Sequence, residues 1–453
     1  MRDRIKEFLD EVCFHIRAKA AHKEIRAELV GHIEEMESSG MMLDEAVLSM
    51  GDCAEIGQKL DKQHRPQTEW SLIGLVAFIA AIGVAMMFGV NVPSYVNVGR
   101  YFVWAVIGFG IAAGIMFFDY TKLKKFALPL YLLAVIFLII GFFGNTFAAG
   151  VMRVRIGTIT MPPALSIIPF ILAFVGFMDK FRGEGLWGIV KLLFFGAISV
   201  FMLILVPNTA FALTLLTCYA VLLFTAVARG HFEGSKKAQI FLLSGVALAL
   251  VMLVAIIILT AELWTQRRLL GFIIPSSDPY GMGWIYYHLS NVLSQAQLWG
   301  VGADVVSHTS YYAMPSAVSE FALANVIITF GWSVGIALVA AIAVLIARMF
   351  MVTRKVRNDF GFYITLSAYA VLAMQFVMNV LMNFGLFPMV GIGLPFVSFT
   401  GSMYVMNMVL VGLILSVWRK NNILRATGKQ AENSKTPLFE YADGKLIVNL
   451  KGK

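Results

Sequence analysis

The fold of this 453-residue chain is decided by the stretch Asn379–Ser402, NVLMNFGLFPMVGIGLPFVSFTGS. It lies between two apolar segments, yet it is rich in Gly, Pro, Asn and Ser. Backbone this irregular cannot face lipid, because its unpaired N–H and C=O groups would stay unsatisfied. We therefore expect the stretch to be packed within protein or to line a wet cavity, with the functional site nearby.

The composition is that of a polytopic membrane protein. The chain is 59% hydrophobic and only 14% charged, whereas soluble domains have about 25% charged residues. Its net charge of +9 does not indicate nucleic-acid binding, because membrane proteins concentrate Lys and Arg in cytoplasmic loops. The first 65 residues contain no apolar h-region, so we expect the first apolar span to serve as the targeting signal.

Ten apolar segments have about the length of 20 residues that a bilayer requires. They lie near residues 71–90, 101–118, 126–143, 163–179, 187–206, 208–228, 238–260, 319–348, 360–382 and 393–417. Lys and Arg cluster in alternate connections, which by the positive-inside rule puts both termini in the cytoplasm. The predicted fold class is all-α: a polytopic membrane protein with about ten transmembrane helices and a small cytoplasmic helical N-terminal domain.

Three regions are expected along the chain. Residues 1–66 indicate a cytoplasmic helical domain, which is either a regulatory or docking module or a solvated helical cap. Residues 67–420 form the transmembrane domain, and the extracytoplasmic loop 261–318 is long enough to be functional. Residues 421–453 form a cytoplasmic tail, in which 439–448 is either a hairpin about its Asp-Gly pair or disordered.

Few carboxylates can reach the outer face on this topology. They are Glu262, Asp278, Asp304 and Glu320. Glu320 opens the eighth apolar segment, where partial desolvation should raise its pKa and allow it to accept a proton. A charge that merely marks a helix N-terminus would explain the same position without catalysis.

Arginine pairs in the outside loops are candidates for binding phosphate bidentately. Arg153 and Arg155 lie in one such loop, and Arg267 and Arg268 lie at the start of the long loop. A lipid diphosphate would suit these arginines, but so would the headgroup of an anionic lipid. The histidines of the long loop have no carboxylate or Cys partners at ligand spacing, so no metal centre is expected.

The stretch Asn379–Ser402 resembles the final motif of the SEDS family, the FtsW/RodA/SpoVE-like proteins. The family pattern is Asn, Gly-x-x-Pro, Gly-x-x-Leu-Pro-Phe and Ser-Tyr-Gly-Gly-Ser, and the matching residues are Asn379, Gly385–Pro388, Gly391–Phe396 and Ser398–Ser402. Weaker matches are Arg268-x-x-x-Phe272-x-x-Pro275 and Pro315-x-x-x-Ser319-Glu320-Phe321. Residues 1–66 loosely resemble the helical prefix domains of some bacterial permeases.

The resemblance implies a SEDS-like fold in the bacterial cell membrane. It also implies a peptidoglycan glycosyltransferase that polymerises lipid II, an undecaprenyl-diphosphate-linked precursor, in cell division, shape or sporulation. Glu320 occupies the position of the family's proposed base, which is an Asp. The implied substrate-binding residues are Arg153, Arg155, Arg268, Pro395, Ser398, Gly401 and Ser402. A Mg²⁺ or Mn²⁺ ion could assist at the diphosphate, and membrane lipids and a class B penicillin-binding protein are the implied partners.

The chain departs from the family pattern at several charged positions. The family's Gln-Pro-Ser-Glu aligns with Pro162–Leu165, and its Gln-Pro-Asp aligns with Val206–Asn208. Two alternatives therefore stand beside the enzyme. One is a catalytically impaired membrane scaffold that binds lipid or a partner protein. The other is a lipid or solute transporter, which is disfavoured because the spans lack charged residues deep in the membrane.

Overall fold

The computed structural model describes most of the chain. The described residues are 2–17, 22–64, 66–89, 98–143, 145–148, 151–156, 159–206, 208–260, 267, 270–300, 316, 318–398, 401–421, 439–442 and 445–448. Two compact units are formed: one contains Met1–Glu69, Lys355–Phe362 and Val417–Lys453, and the other contains Trp70–Arg354 and Tyr363–Ser416.

The N-terminal part of the chain is helical. Its helices are α1 Arg2–Phe14, α2 His22–Ser38, α3 Leu43–Ser49 and α4 Cys53–His64. Apolar residues at helical spacing form the core between them, and Val12, Leu29 and Leu60 are fully buried. Gly40 and Gly51 adopt positive φ angles of +97° and +98° in the turns, which glycine does without strain. This confirms the helical N-terminal region of the predicted fold class.

The remaining helices are mostly long and apolar. They are α5 Trp70–Gly89, α6 Val98–Phe117, α7 Ala127–Phe143, α8 Ile167–Lys180, α9 Gly185–Leu205, α10 Thr209–Arg229, α11 Lys236–Thr260, α12 Trp284–Ser294, α13 Ala322–Phe330, α14 Trp332–Arg354, α15 Asp359–Asn383 and α16 Gly401–Lys420. Within the described residues, seven helical segments are long and apolar enough to cross a membrane, and Trp70–Met86 and Tyr101–Phe117 are shorter apolar helices. The chain is a multi-pass helical membrane protein, as its composition predicts.

Two of the ten predicted spans differ from the structure. The segment 319–348 is not one helix, because it breaks at Gly331 into α13 and α14. Gly331 has a φ of +95°, and a Cβ there would lie 2.6 Å from the carbonyl oxygen of Leu298, so the position suits only glycine. The tenth helix, predicted from residue 393, begins at Gly401, and residues 395–398 form a turn and a bend instead of helix.

A small sheet that the sequence analysis did not predict follows α7. Its strands β1 Asn145–Ala148, β2 Val151–Ile156 and β3 Ile159–Met161 pair antiparallel in chain order. Successive residues of a strand face opposite sides. Val154 is accordingly buried, and a Cβ at Gly141 of α7 would lie 2.6 Å from its Cγ2, whereas Arg155 is exposed.

The tail contains a second pair of strands. β4 Phe439–Ala442 and β5 Lys445–Val448 pair antiparallel, with Ala442 opposite Lys445. The two residues that join the strands, Asp443 and Gly444, lie outside the described residues. The antiparallel pairing agrees with the hairpin alternative predicted for this segment.

Candidate functional site

Glu320 lies in a turn of residues 318–321 that leads into α13 and precedes the spanning helix α14. The turn is closed by the carbonyl of Ser316, which accepts bonds from the backbone N–H groups of Ser319 at 3.0 Å and Phe321 at 3.2 Å. Ser316 has a φ of +59°, which is uncommon for a residue with a side chain. The turn therefore has a defined backbone shape and places Glu320 at the N-terminal end of α13.

The side chain of Glu320 is half-buried. Burial raises the pKa of its carboxyl above the ordinary value of 4.5, and a hydrogen bond with the Ser316 side chain opposes this rise. The raised pKa is the direction predicted from the sequence. Gly391 lies beside the carboxylate, since a Cβ at that position would be 3.3 Å from Oε1. A carboxylate with a raised pKa suits a general base.

Two fully buried asparagines of α15 hold the backbone of Glu320. Asn379 Nδ2 donates to the Glu320 carbonyl at 2.8 Å, and Asn383 Nδ2 donates to it at 3.1 Å. Asn379 also donates to the carbonyl of Ile392 at 2.8 Å, and Asn383 Oδ1 accepts the N–H of Ala324 at 3.0 Å. Residues four apart share one face of a helix, so both amides point to the same turn.

Ser398 holds the same turn through the preceding residue. Its hydroxyl donates to the carbonyl of Ser319 and accepts the N–H of Leu394 at 2.6 Å. Gly393 makes this approach possible, because a Cβ there would lie 2.7 Å from the Ser398 Cβ. Ser398 is 3% exposed, so its hydroxyl has a structural task in addition to the substrate contact that the resemblance implies.

Pro395 and Phe396 form a buried, strained turn next to this serine. Phe396 has a φ of +63°, a conformation that costs a non-glycine residue about 1–3 kcal/mol. Its carbonyl accepts the hydroxyl of Tyr101 on α6 at 2.7 Å, and Gly83 of α5 lies close enough that a Cβ would be 3.1 Å from the same oxygen. Neighbouring helices therefore keep Phe396 in this conformation.

The break between α13 and α14 is filled by residues 297–300. The N–H of Gly300 donates to the carbonyl of Phe330 at 3.1 Å, and the N–H of Trp332 donates to the carbonyl of Gln297 at 2.9 Å. These bonds satisfy backbone groups that a broken helix leaves free and that lipid could not satisfy. The long connection is thus joined to the far end of the helix that Glu320 precedes.

Of the other candidate carboxylates, Glu262 and Asp304 lie outside the described residues. Asp278 is exposed, and its Oδ2 accepts the N–H of Met282 at 3.0 Å. This bond closes the turn that precedes α12. Asp278 therefore organises its own loop, whereas Glu320 is the described carboxylate of this set that lies against the Asn379–Ser402 stretch.

The candidate phosphate-binding arginines lie in two regions. Arg153 is opposite Thr146 on β2, and Arg155 is opposite Thr160 and exposed. Arg268 lies outside the described residues. Their assignment to a substrate diphosphate stays a prediction.

Gly401 and Ser402 begin α16. A Cβ at Gly401 would lie 2.5 Å from Cε2 of Trp104 on α6, so glycine allows close packing of these helices here. Ser402 is half-buried. The expected substrate contacts of both residues stay predictions.

Among the described residues, no group of three or more His, Cys, Asp and Glu side chains is placed to hold a metal ion. Protein-bound Mg²⁺ commonly uses one or two carboxylates together with substrate phosphates. Glu320 is a single carboxylate, so this donor set does not fit a metal centre built by protein groups alone.

The broken helix, the Glu320 turn held by two buried asparagines and the buried turn at Pro395 and Phe396 make up the candidate site of a polytopic membrane protein. Residues 67–423 match the sequence model of the FTSW_RODA_SPOVE family, which is described as "Cell cycle protein". The match covers well over half of the chain, so the chain belongs to the FtsW/RodA/SpoVE family. This confirms the resemblance drawn from the final motif.

Two curated relatives match over most of their length. The probable peptidoglycan glycosyltransferase FtsW of Trichlorobacter lovleyi is 23% identical over 381 residues, which cover 80% of this chain and 96% of that protein. The protein of the same name from Alcanivorax borkumensis is 25% identical over 342 residues, 73% of this chain and 86% of that protein.

Solved structures share the fold. A chain from a study of structural coordination of polymerization and crosslinking by a peptidoglycan synthase complex superposes with a TM-score of 0.65 at 21% identity, over 78% of this chain and 98% of that chain. The crystal structure of the rod shape determining protein RodA of Thermus thermophilus gives a TM-score of 0.56 at 19% identity, over 78% of this chain and 97% of that chain.

Proposed function

We propose that this protein is a SEDS-type glycosyltransferase that polymerises a lipid-linked cell-wall precursor, with Glu320 as the general base. The observation that supports it best is the half-buried Glu320 carboxyl, whose backbone is held by residues of the family motif. The names of the curated relatives, which are probable peptidoglycan glycosyltransferases, support the same reaction. Cell-wall synthesis in division, shape or sporulation follows from this family.

The reaction requires one proton acceptor and a good leaving group. As the hydroxyl oxygen of the acceptor sugar attacks the anomeric carbon of the donor, Glu320 takes the hydroxyl proton. The bond between that carbon and the diphosphate oxygen breaks, and the lipid diphosphate leaves with the electron pair. Glu320 then returns its proton to water, so the base is regenerated.

The substrate would lie between the Glu320 turn and the start of α16. Arginines are suited to the diphosphate because the guanidinium group binds phosphate bidentately. The proposed contacts are Arg153, Arg155, Arg268, Pro395, Ser398, Gly401 and Ser402. The carboxylate of Glu320 lies about one methylene further from its backbone than the Asp of the family pattern, and a misplacement of about 1 Å can cost around a hundredfold in rate.

The proposed location is the bacterial cell membrane, with both termini in the cytoplasm. The last turns of α8, α10, α14 and α16 carry Lys180, Arg229, Arg354, and Arg419 with Lys420. The positive-inside rule favours the cytoplasmic side for these ends. We place residues 1–66 and 421–453 in the cytoplasm and residues 67–420 in the membrane domain. A class B penicillin-binding protein is the proposed partner, and the synthase complex among the structural neighbours supports it.

A membrane scaffold without catalysis is the second candidate. It is favoured by the turn Pro163–Ser166, in which the buried Ala164 and the half-buried Leu165 stand where the family pattern has Ser and Glu. Such a protein would keep the lipid groove and the partner surface. It would not polymerise a lipid-linked sugar.

The test is polymerisation of purified lipid II by the full-length protein, alone and with a class B penicillin-binding protein. We expect Glu320→Gln to lower the rate about 10²–10⁴-fold, the usual contribution of a positioned base. Asp278→Asn is the matched control, because it removes an exposed carboxylate of the long loop 261–318 and should leave the rate nearly unchanged. Wild-type rate in Glu320→Gln would refute the base assignment, and inactivity of the wild type towards every lipid-linked sugar would favour the scaffold.

A further inference from the structure

We propose that Asn383 is a positioning residue for Glu320, acting as the N-terminal cap of α13 from a different helix. The proposal rests on the proposed role of Glu320 as the base. It concerns the backbone of Glu320, which Asn383 contacts together with the start of α13. Asn379 and Ser398 bind the same turn.

The N-terminus of α13 lacks a cap of its own. The first N–H groups of a helix have no partner within the helix, and a Ser, Thr, Asp or Asn at the N-cap usually accepts one of them. The N-cap residue here is Phe321, whose side chain makes no such bond. Asn383 Oδ1 accepts the N–H of Ala324, the third residue of the helix, at 3.0 Å. This is the bond that a local N-cap side chain would make.

The other end of the same amide holds Glu320. Asn383 Nδ2 donates to the Glu320 carbonyl at 3.1 Å, so one planar side chain fixes both the helix start and the residue that precedes its cap. Asn383 Nδ2 also lies 3.2 Å from Asn379 Oδ1 and 2.8 Å from the Asn379 carbonyl. Both asparagines are fully buried, and a buried polar network whose groups are paired holds its members rigidly.

The consequence concerns the carboxylate. The Glu320 backbone is held at its own carbonyl and, through Ser398, at the carbonyl before it, so the free torsions are those of the side chain. Without Asn383, the turn and the first turn of α13 could shift together. A shift of about 1 Å at the reacting group can lower the rate around a hundredfold without changing how the substrate is bound.

The test compares Asn383→Leu with Asn407→Leu in the full-length protein. Leu has the same number of side-chain heavy atoms as Asn, branched at the same position, and it removes every hydrogen bond of the Asn383 amide. Asn407 is a matched buried amide on α16 that is 3% exposed. For Asn383→Leu we expect kcat to fall about 100-fold with the KM for lipid II unchanged. We also expect faster deuterium exchange at the Ala324 amide, measured on peptides that cover residues 316–330. Asn407→Leu should change neither quantity.

Asn383→Asp is the second variant, in case Asn383→Leu does not fold. It keeps an acceptor for Ala324 N–H, and in its ionised form it cannot donate to Glu320, so at a pH where the Asp is ionised the exchange protection should remain while kcat falls. Unchanged exchange in Asn383→Leu would overturn the cap. Faster exchange with unchanged kcat would overturn the positioning role, while the Glu320→Gln assay decides separately whether Glu320 is the base.

Discussion

Tyr101 and Phe396 lie 295 residues apart in the chain, and the tyrosine hydroxyl donates to the phenylalanine carbonyl at 2.7 Å. Phe396 keeps a positive φ of +63° at this bond. Since Phe396 is two residues before Ser398, which holds the Glu320 turn, the bond from Tyr101 of α6 to the strained Phe396 backbone supports the candidate site indirectly.

Tyr101→Phe should therefore lower activity as well as stability. Loss of a buried hydrogen bond of this kind costs about 0.5–1.5 kcal/mol. Tyr131→Phe is the matched control, because that hydroxyl donates to the Phe195 carbonyl at 3.0 Å, away from the Glu320 turn. Thermal unfolding should fall similarly for both variants, and lipid II polymerisation should fall only for Tyr101→Phe. Equal rates in both would show that the strained turn does not influence the site.

Two glycines of the motif should respond to alanine in opposite ways. A methyl group at Gly391 would lie 3.3 Å from Glu320 Oε1, so Gly391→Ala should reduce kcat with little change in stability. Gly385 has a φ of +68° and open space around it, so Gly385→Ala should destabilise the protein by about 1–2 kcal/mol and leave kcat of the folded fraction intact. Thermal unfolding and initial rates on the same preparations test both. An unchanged kcat in Gly391→Ala would contradict the placement of the carboxylate.

The pH dependence of the rate should report the raised pKa of Glu320. A base must be deprotonated, so the rate should rise with pH through a pKa that lies above 4.5. The Ser316 side chain lowers this pKa, and Ser316→Gly removes its hydroxyl while accepting the local φ of +59°. The acidic limb of kcat/KM should then move to higher pH. A shift to lower pH, or none, would contradict the assigned hydrogen bond.

The raised pKa of Glu320 also determines how its contribution to folding stability changes with pH. A carboxyl with a higher pKa in the folded state binds its proton more tightly there, so its contribution favours folding at low pH and is lost as pH rises through the folded pKa. Glu320→Gln should therefore unfold at a higher temperature than the wild type at neutral pH, with the difference shrinking below about pH 4.5. Thermal unfolding across this range measures it. A wild type more stable than Glu320→Gln at neutral pH would contradict the buried charge.

The helical fold class was predictable because an apolar run of about 20 residues indicates a transmembrane helix whatever its tertiary contacts are. The break at Gly331 was not, since apolar residues continue through it from Ala322 to Val344. What breaks the helix is the backbone of residues 297–300, which is distant in sequence. The alternation of apolar Val154 and charged Arg155 is typical of a strand with one buried face. The strand β2 has only six residues, which were too few to predict a strand from the sequence.

The candidate site was half predictable. The position of Glu320 at the start of an apolar segment predicted that its pKa is raised, because apolar neighbours partly remove the carboxyl from water. The spacing of Asn379 and Asn383 predicts that their side chains lie on the same face of one helix. The spacing could not predict that both amides bind the Glu320 carbonyl, since every residue has a backbone carbonyl and none is marked in the sequence. For the same reason the sequence could not show the bond from the Ser398 hydroxyl to the Ser319 carbonyl, and the substrate contact of Ser398 stays a prediction.

The helix α13 has only nine residues, so it is about 13 Å long. Its start is tied to Asn383, beside the carboxylate, and its end is tied to Gly300 of the long connection. One end of α13 therefore lies at the turn that carries Glu320, and the other end lies at the loop of residues 297–300. The loop at Gly300 and the turn that carries Glu320 are thus joined through a single short helix.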